Sequence, residues 1–235
     1  HRLSLGIAKK IKDRRLEGNA LGNIGSYYLL FEDYPKAIKY YQQRLEIFQE
    51  IKDRQGEGES LGNLGLFYFL LSDYSKAINY QQQSLTIARD IKDRKRESES
   101  LGNFGLIYSS MGDYPKALVY HSQSLKIAQE IKNRRAESLA LNNLGLVYYK
   151  IGNLQLAEST LFEGVKVLES LRGGLKDNNK ISIFEGQSRT YRNLQEVLIA
   201  QNKTNEALEI AERGRARAFV ELLANKLSDN PNEQL

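Results

Sequence analysis

The chain has 235 residues, with 34 lysines and arginines, 29 aspartates and glutamates, three prolines and neither cysteine nor tryptophan. The lack of cysteine excludes disulfides, thiolate-bound zinc or iron–sulfur centres and a thiol nucleophile, so a reducing cytoplasm is the expected location. The longest nearly unbroken apolar run is residues 64–71. It is far shorter than the roughly 18 residues that cross a bilayer, so we expect a soluble chain without a membrane span.

Charged residues of both signs alternate along the whole chain. The formal net charge is +5 and the pI is about 9.2. This balance permits weak attraction to nucleic acid or to an anionic surface, but charge alone identifies no partner.

The sequence repeats itself with a period of 40 residues. The segment LGNIG at residues 21–25 returns as LGNLG, LGNFG and LNNLG at the next three periods. A degenerate fifth copy, residues 191–214, aligns with residues 141–164 once the register shifts from 40 to 50. Self-similarity at such a period indicates stacked supersecondary units, each of which buries its apolar face against its neighbours.

Taken in chain order, the apolar positions predict two helices in every unit. In the second unit, Leu61, Leu64 and Tyr68 share one helical face. Asp53 and Asp73 stand where the two helices of that unit should begin, and we predict that they are N-caps. The predicted organisation is the second helix of a truncated repeat at 1–14, four 40-residue units at 15–172, an inserted loop at 173–180, a degenerate fifth unit with a terminal helix at 181–226, and a flexible tail at 227–235.

Recurring glycines and tyrosines predict how the helices pack. Gly62 and Gly65 lie inside a predicted helix, where each glycine costs about 1 kcal/mol relative to alanine, so close helix packing is the expected compensation. Tyr28 and its period-40 counterparts are predicted to be core residues rather than stacking platforms for bases or sugars. The two histidines, His1 and His121, are predicted to be surface residues and not general bases.

The pattern LGNLG…Y…GDY.KA…Y..Q.L.I resembles the tetratricopeptide repeat in its 40-residue form. The resemblance covers nearly the whole chain. It implies an all-α fold, a right-handed superhelical solenoid of antiparallel helix pairs whose first helices line a concave groove.

A second resemblance covers residues 211–227, AERGRARAFVELLANKL. This stretch is similar to the joint between such repeats and a caspase-like CHAT peptidase domain in bacterial, especially cyanobacterial, proteins. The resemblance implies that the chain is a sensor or docking arm of a peptidase whose His–Cys pair lies beyond Leu235.

One face of each first helix is the candidate partner-binding groove. An asparagine recurs on this face in every unit, and its amide can both donate to and accept from an extended peptide backbone, as asparagines in related repeats do. The alternative is that these asparagines tie neighbouring helices together. Apolar residues between them suggest pockets for partner side chains, unless neighbouring helices cover them. The candidate groove residues are Asn23, Asn63, Asn103, Asn142, Asn143, Asn193, Glu59, Glu99, Leu66, Phe69, Leu106, Tyr149, Lys150, Arg189 and Arg192.

The polarity of this groove changes along the array. Glu59 and Glu99 fall in the middle, and Lys150, Arg189 and Arg192 fall toward the end. A bound segment with a basic middle and an acidic end would suit this order.

The asparagine row and the varied groove residues favour a non-enzymatic scaffold that binds a protein or peptide segment. One alternative is a regulatory arm of a CHAT-type peptidase, and another is a weak binder of nucleic acid or anionic surfaces through RGRAR at residues 213–217. We expect no catalytic residues, metal, cofactor or small-molecule substrate, since the sequence has no HExxH, calcium-loop or phosphate-loop motif. The unpartnered helix at 1–14 also predicts some end-to-end self-association.

Overall fold

The computed structural model describes residues 2–171 and 180–215, with side chains for residues 3–171 and 189–215. Within these ranges the chain is helical with short joints and has no strand. The helices are α1 (Arg2–Ile11), α2 (Arg14–Leu30), α3 (Tyr34–Glu50), α4 (Arg54–Leu70), α5 (Tyr74–Asp90), α6 (Arg94–Ser110), α7 (Tyr114–Glu130), α8 (Arg134–Lys150), α9 (Leu154–Ser170) and α10 (Lys180–Ala200), followed by α11, the described residues 204–215.

The helices explain the 40-residue period. Each helix from α2 to α9 has 17 residues, and three-residue joints separate them. The predicted inserted loop lies outside the described residues apart from Lys180, where α10 begins. The predicted tail at 227–235 lies outside them as well.

Each joint ends one helix and caps the next. Asp53 accepts a hydrogen bond from the backbone N–H of Gly56 at 3.1 Å, and Asp73 accepts one from Lys76 at 3.1 Å, which confirms both predicted N-caps. The middle residue of a joint has a positive φ, for example 60° at Ser72. The N–H of Asp73 then donates back to the carbonyl of Tyr68 at 2.9 Å, which satisfies a carbonyl left open by the end of α4.

The chain divides into two compact units, residues 1–127 and residues 128–235. In the first unit, a glycine of each first helix packs against the side chain sixteen positions later, on the second helix. A Cβ atom built on Gly65 would lie 2.6 Å from Nε2 of Gln81, closer than real Cβ contacts allow. The pairs are Gly25 with Tyr41, Gly65 with Gln81 and Gly105 with His121. The glycines therefore permit the close helix packing that the sequence predicted.

The prediction for His121 is wrong, because its side chain is buried and only 1% exposed. It lies between α6 and α7 against Gly105. The sister positions Tyr41 and Gln81 are buried in the same way, so the register of the repeat, not the polarity of the residue, decides its burial. His1 lies outside the described residues.

Tyrosines of the first and second helices stack inside each hairpin of the first unit. Tyr68 and Tyr80 have ring centroids 5.3 Å apart and nearly parallel planes, and the ammonium group of Lys76 lies 5.0 Å from the centroid of Tyr68. The pairs Tyr28–Tyr40 and Tyr108–Tyr120 repeat this geometry. These tyrosines are part of the packing, as the sequence predicted.

In the second unit, the degenerate fifth copy forms a helical hairpin of α10 and α11. Its buried residues pack with those of α9 in one apolar core: Ala157, Leu161, Val165, Tyr191, Leu194, Val197, Leu198, Ala207 and Ile210. Polar contacts join the same elements. Glu169 accepts a hydrogen bond from the hydroxyl of Tyr191 at 2.6 Å, and its two carboxylate oxygens lie 3.0 and 3.1 Å from one guanidinium nitrogen of Arg213.

Candidate functional site

The candidate groove residues of the first unit lie on one side of α2, α4 and α6, away from the stacked tyrosines. Asn23 is exposed, and Asn63 and Asn103 are half-buried. We call this side, marked by Asn23, Asn63 and Asn103, the asparagine face. The three residues have the same register in the first helices of successive repeats, so a segment running across these helices would meet one amide in each repeat.

The amides of the asparagine face are largely free to bind. The Nδ2 group of Asn63 donates to the carbonyl of Glu59 on its own helix at 2.8 Å, which leaves its second N–H and its Oδ1 open. Among the described residues, the side chains of Asn23 and Asn103 have no hydrogen-bond partner. A side-chain amide offers two N–H donors and an oxygen with two lone pairs, so most of this capacity is available.

The asparagines of the second unit have a different environment. Asn142 is 2% exposed, and Asn143 and Asn193 are buried as well. Nδ2 of Asn193 donates to Oδ1 of Asn142 at 2.8 Å, and Nδ2 of Asn142 donates to Oδ1 of Asn143 at 3.3 Å. These amides tie α8 to α10, which is the alternative role that the sequence left open.

Apolar side chains accompany the asparagine face. Leu66, Phe69 and Leu106 are all half-buried, so neighbouring helices cover them in part and leave the rest open. The ring of Phe69 lies 6.2 Å from that of Tyr74, centroid to centroid. Leu70 at the end of α4 is exposed as well.

The remaining candidates belong to the second unit. Tyr149 is half-buried and packs against the apolar core of that unit. Lys150, Arg189 and Arg192 are exposed.

Sequence reasoning missed an ion-pair series on the asparagine face. Arg44 of α3 is almost fully buried and donates to Oε2 of Glu59 at 2.7 Å. The other carboxylate oxygen of Glu59 lies 3.2 Å from Arg96 of α6, and the second amino group of Arg96 lies 3.3 Å from Glu99. We call this row, Arg44, Glu59, Arg96 and Glu99, the ion-pair series. A signal was present, because both arginines interrupt positions that are small in most sister repeats.

The basic cluster at 213–217 is partly engaged within the protein. Arg213 forms an ion pair with Glu169, and Arg215 lies 3.1 Å from Glu212 one turn earlier. Arg217 lies outside the described residues. The two described arginines therefore have carboxylate partners, which lowers the charge that they offer to a phosphate.

The described residues carry little that would support proton transfer. Burial lowers the pKa of His121 to about 4, and neither ring nitrogen has a hydrogen-bond partner in the described part of the chain. A general base needs a pKa near the working pH and access to its substrate. The same part of the chain also holds no group of three or more histidine, aspartate or glutamate side chains placed to bind a metal ion.

No helix in the ranges that the structure describes is both long and apolar enough to cross a bilayer. 

Comparison with known proteins agrees with this architecture. A family model described as tetratricopeptide repeat matches three overlapping stretches, residues 16–90, 56–130 and 96–170. Tetratricopeptide repeat protein 28 of mouse and that of human are each 37% identical to this chain over 75 residues, 31% of this chain and 3% of the relative. The match therefore spans only a small part of those proteins.

Solved structures resemble the chain over most of its length. BtubC (BKLC) from P. vanneervenii has a TM-score of 0.78 and 19% sequence identity, with 93% of this chain and 89% of that one covered. The Rap conjugation gene regulator of the plasmid pLS20, in complex with the Phr* peptide, has a TM-score of 0.70 and 20% identity over 96% of this chain and 61% of the other. At these identities the likeness shows the all-α repeat fold alone.

Proposed function

Because this chain belongs to the tetratricopeptide repeat family, we propose that it is a protein-interaction scaffold that binds an extended segment of a partner protein along the asparagine face. The observation that carries the proposal is the row of three asparagine amides at one register, largely without hydrogen-bond partners among the residues that the structure describes. The structural relative solved in complex with the Phr* peptide supports a peptide as the occupant.

The chemistry of the face suits an extended backbone. An extended segment presents N–H and C=O groups to both sides and has no internal hydrogen bonds, so asparagine amides can satisfy either group. The half-buried Leu66, Phe69 and Leu106 would be covered by apolar side chains of the segment. Each net hydrogen bond contributes about 0.5–1.5 kcal/mol, so three together are worth roughly a hundredfold in affinity.

The proposal is tested with a displayed library of random peptides, selected on the unmodified chain. Binding of the selected peptides is then measured on a variant in which Asn23, Asn63 and Asn103 are all replaced by alanine. We expect affinity to fall on the order of 100-fold. Helicity should persist, because alanine is a better helix former than asparagine by a few tenths of a kcal/mol per residue.

The matched control is Asn79→Ala, since Asn79 is an exposed asparagine on α5, the second helix of its repeat. Its replacement should leave peptide affinity unchanged. Equal affinity for the unmodified chain and the triple variant would reject the asparagine face as the binding site.

We propose that the exposed basic residues of the second unit, Lys150, Arg189 and Arg192, contact an acidic part of a longer partner. Replacing all three with glutamine should weaken binding to a peptide that ends in several aspartates and leave binding to its asparagine counterpart unchanged. Equal effects on both peptides would exclude this contact.

The alternative of a regulatory arm for a CHAT-type peptidase depends on residues 211–227, of which 216–227 lie outside the described residues. Its test is the parent reading frame: a histidine and cysteine domain after Leu235 would support it, and the absence of such a domain would exclude it. Binding of nucleic acid has less support, because Arg213 and Arg215 have carboxylate partners. Cytoplasmic location remains a prediction from the lack of cysteine.

A further inference from the structure

The ion-pair series crosses the asparagine face and ends at a carboxylate that is open to solvent. The arginines are the less exposed members, with 9% of the Arg44 side chain and 20% of the Arg96 side chain exposed. Glu99 is the most open member, with 44% of its side chain exposed. Resting on the proposed binding of a partner segment, we infer that Glu99 binds a basic side chain, lysine or arginine, of that segment.

The sister repeats show that helix packing does not require an arginine at either position. Ser84 and Ser124 stand at the position of Arg44 in the next two repeats. Gly56 stands at the position of Arg96 in the preceding repeat. Withdrawing a guanidinium group from water is expensive, and a buried ion pair often adds nothing to stability relative to apolar packing. Departures from a local rule of this kind are expected where function, not folding, selects the residue.

The arginines orient the carboxylates of the series. Glu59 has one guanidinium on each of its two oxygens, at 2.7 and 3.2 Å, so its charge is balanced within the protein. Glu99 has a single guanidinium contact at 3.3 Å, from Arg96, on one oxygen. The other oxygen of Glu99 is therefore the acceptor that remains for an incoming cation.

A cation of the chain itself already lies near that oxygen. The ammonium group of Lys95 is 4.0 Å from Oε1 of Glu99, at the outer limit of an ion pair, and the Lys95 side chain is well exposed. Positive and negative side chains alternate along the series from Arg44 to Glu99. A positive side chain bound to Glu99 would continue this alternation. A partner's basic side chain would take the place of Lys95, one helical turn from the amide of Asn103 on α6.

The inference is tested with the same library of random peptides. Peptides whose binding depends on Asn23, Asn63 and Asn103 should be enriched in arginine or lysine at one position, and changing that residue to glutamine should weaken binding. On Glu99→Gln the affinity should fall by about fivefold, which is the scale of a partly exposed ion pair. The matched control is Glu46→Gln, an exposed glutamate of α3, which should change nothing.

Two further variants separate recognition from folding. Arg96→Ala introduces a small residue like those at this position in sister repeats, so the midpoint of thermal unfolding should stay the same. The preference of the chain for peptides with a basic residue should become weaker. Glu99→Lys should reverse the preference, so that a peptide with glutamate at the enriched position binds better than one with arginine.

The outcomes distinguish this inference from the proposed function. Asparagine-dependent peptides without a basic preference, or with affinity unchanged by Glu99→Gln, would overturn the role of Glu99 and leave the scaffold intact. A library that yields no asparagine-dependent peptide would overturn the binding face and this inference with it.

Discussion

A single methyl group added at Gly105 should destabilise the first unit, because it enters the space of a rigid buried ring. A Cβ atom there would lie 2.4 Å from both Cε1 and Nδ1 of His121. The imidazole is 1% exposed, so it cannot swing into solvent, and α6 and α7 must move apart. Gly102 lies one turn earlier on α6, and the one described neighbour that a Cβ atom there would meet is Oγ of Ser124, at 3.4 Å.

The two substitutions should therefore change the free energy of unfolding in opposite directions. Overpacking of this kind costs about 1–3 kcal/mol, and alanine regains about 0.5–1 kcal/mol of helix propensity over glycine. Gly105→Ala should lower the free energy of unfolding by about 0.5–2 kcal/mol, whereas Gly102→Ala should raise it by about 0.5–1 kcal/mol. Because the two positions share α6, any general effect of alanine on that helix is common to both.

Urea unfolding followed by circular dichroism at 222 nm measures both values. Replacing His121 with alanine removes the ring, so Gly105→Ala in that background should no longer destabilise. A double-mutant cycle reports this coupling directly. Equal effects of Gly105→Ala and Gly102→Ala, or a cost of Gly105→Ala that persists without the ring, would show that His121 and Gly105 are not in close contact.

The remaining predictions concern pH, the buried amides and self-association. Burial lowers the pKa of His121 from 6.5 to about 4, so the unfolded chain takes up a proton first as the pH falls, and stability should drop between pH 6.5 and 4 by about 3 kcal/mol. His121→Leu, which copies the sister residue Leu161, should flatten this part of a pH series of urea midpoints, and an unchanged slope would contradict the assignment. Asn193→Ala should cost about 1–3 kcal/mol by leaving Asn142 without its donor, and the effect should vanish once Asn142 is apolar. Finally, Ile7 on α1 is exposed, so light scattering at high concentration should detect association that Ile7→Lys abolishes, and a monomer at all concentrations would refute it.

Local physical chemistry made most of the fold readable from the sequence. The caps at Asp53 and Asp73 depend on residues three positions away, and the 40-residue period follows from helices of equal length joined by three-residue turns. The glycine that recurs at positions 25, 65 and 105 indicated close helix contacts, because close packing offsets the cost of a glycine inside a helix. These features need only the neighbouring sequence, so the repeat determined the helices, their joints and their packing register.

The site depended on contacts between residues far apart in the chain. The recurring asparagines look alike in sequence, yet Asn63 stays half-open, its counterpart Asn143 is buried, and Asn193 donates to Asn142 on another helix. A side-chain amide can serve either role, and only the position of the partner helix decides which one it serves.

The charges follow the same rule. In sequence Glu59 is an acidic groove residue, but its two oxygens are held by Arg44 and Arg96, which lie 15 and 37 positions away. His121 likewise has a polar side chain that the fold buries against Gly105. The sequence alone determined that this protein is an all-α repeat array. The tertiary structure decided which polar groups remain free to bind, because burial and pairing are set by helices brought together from distant parts of the chain.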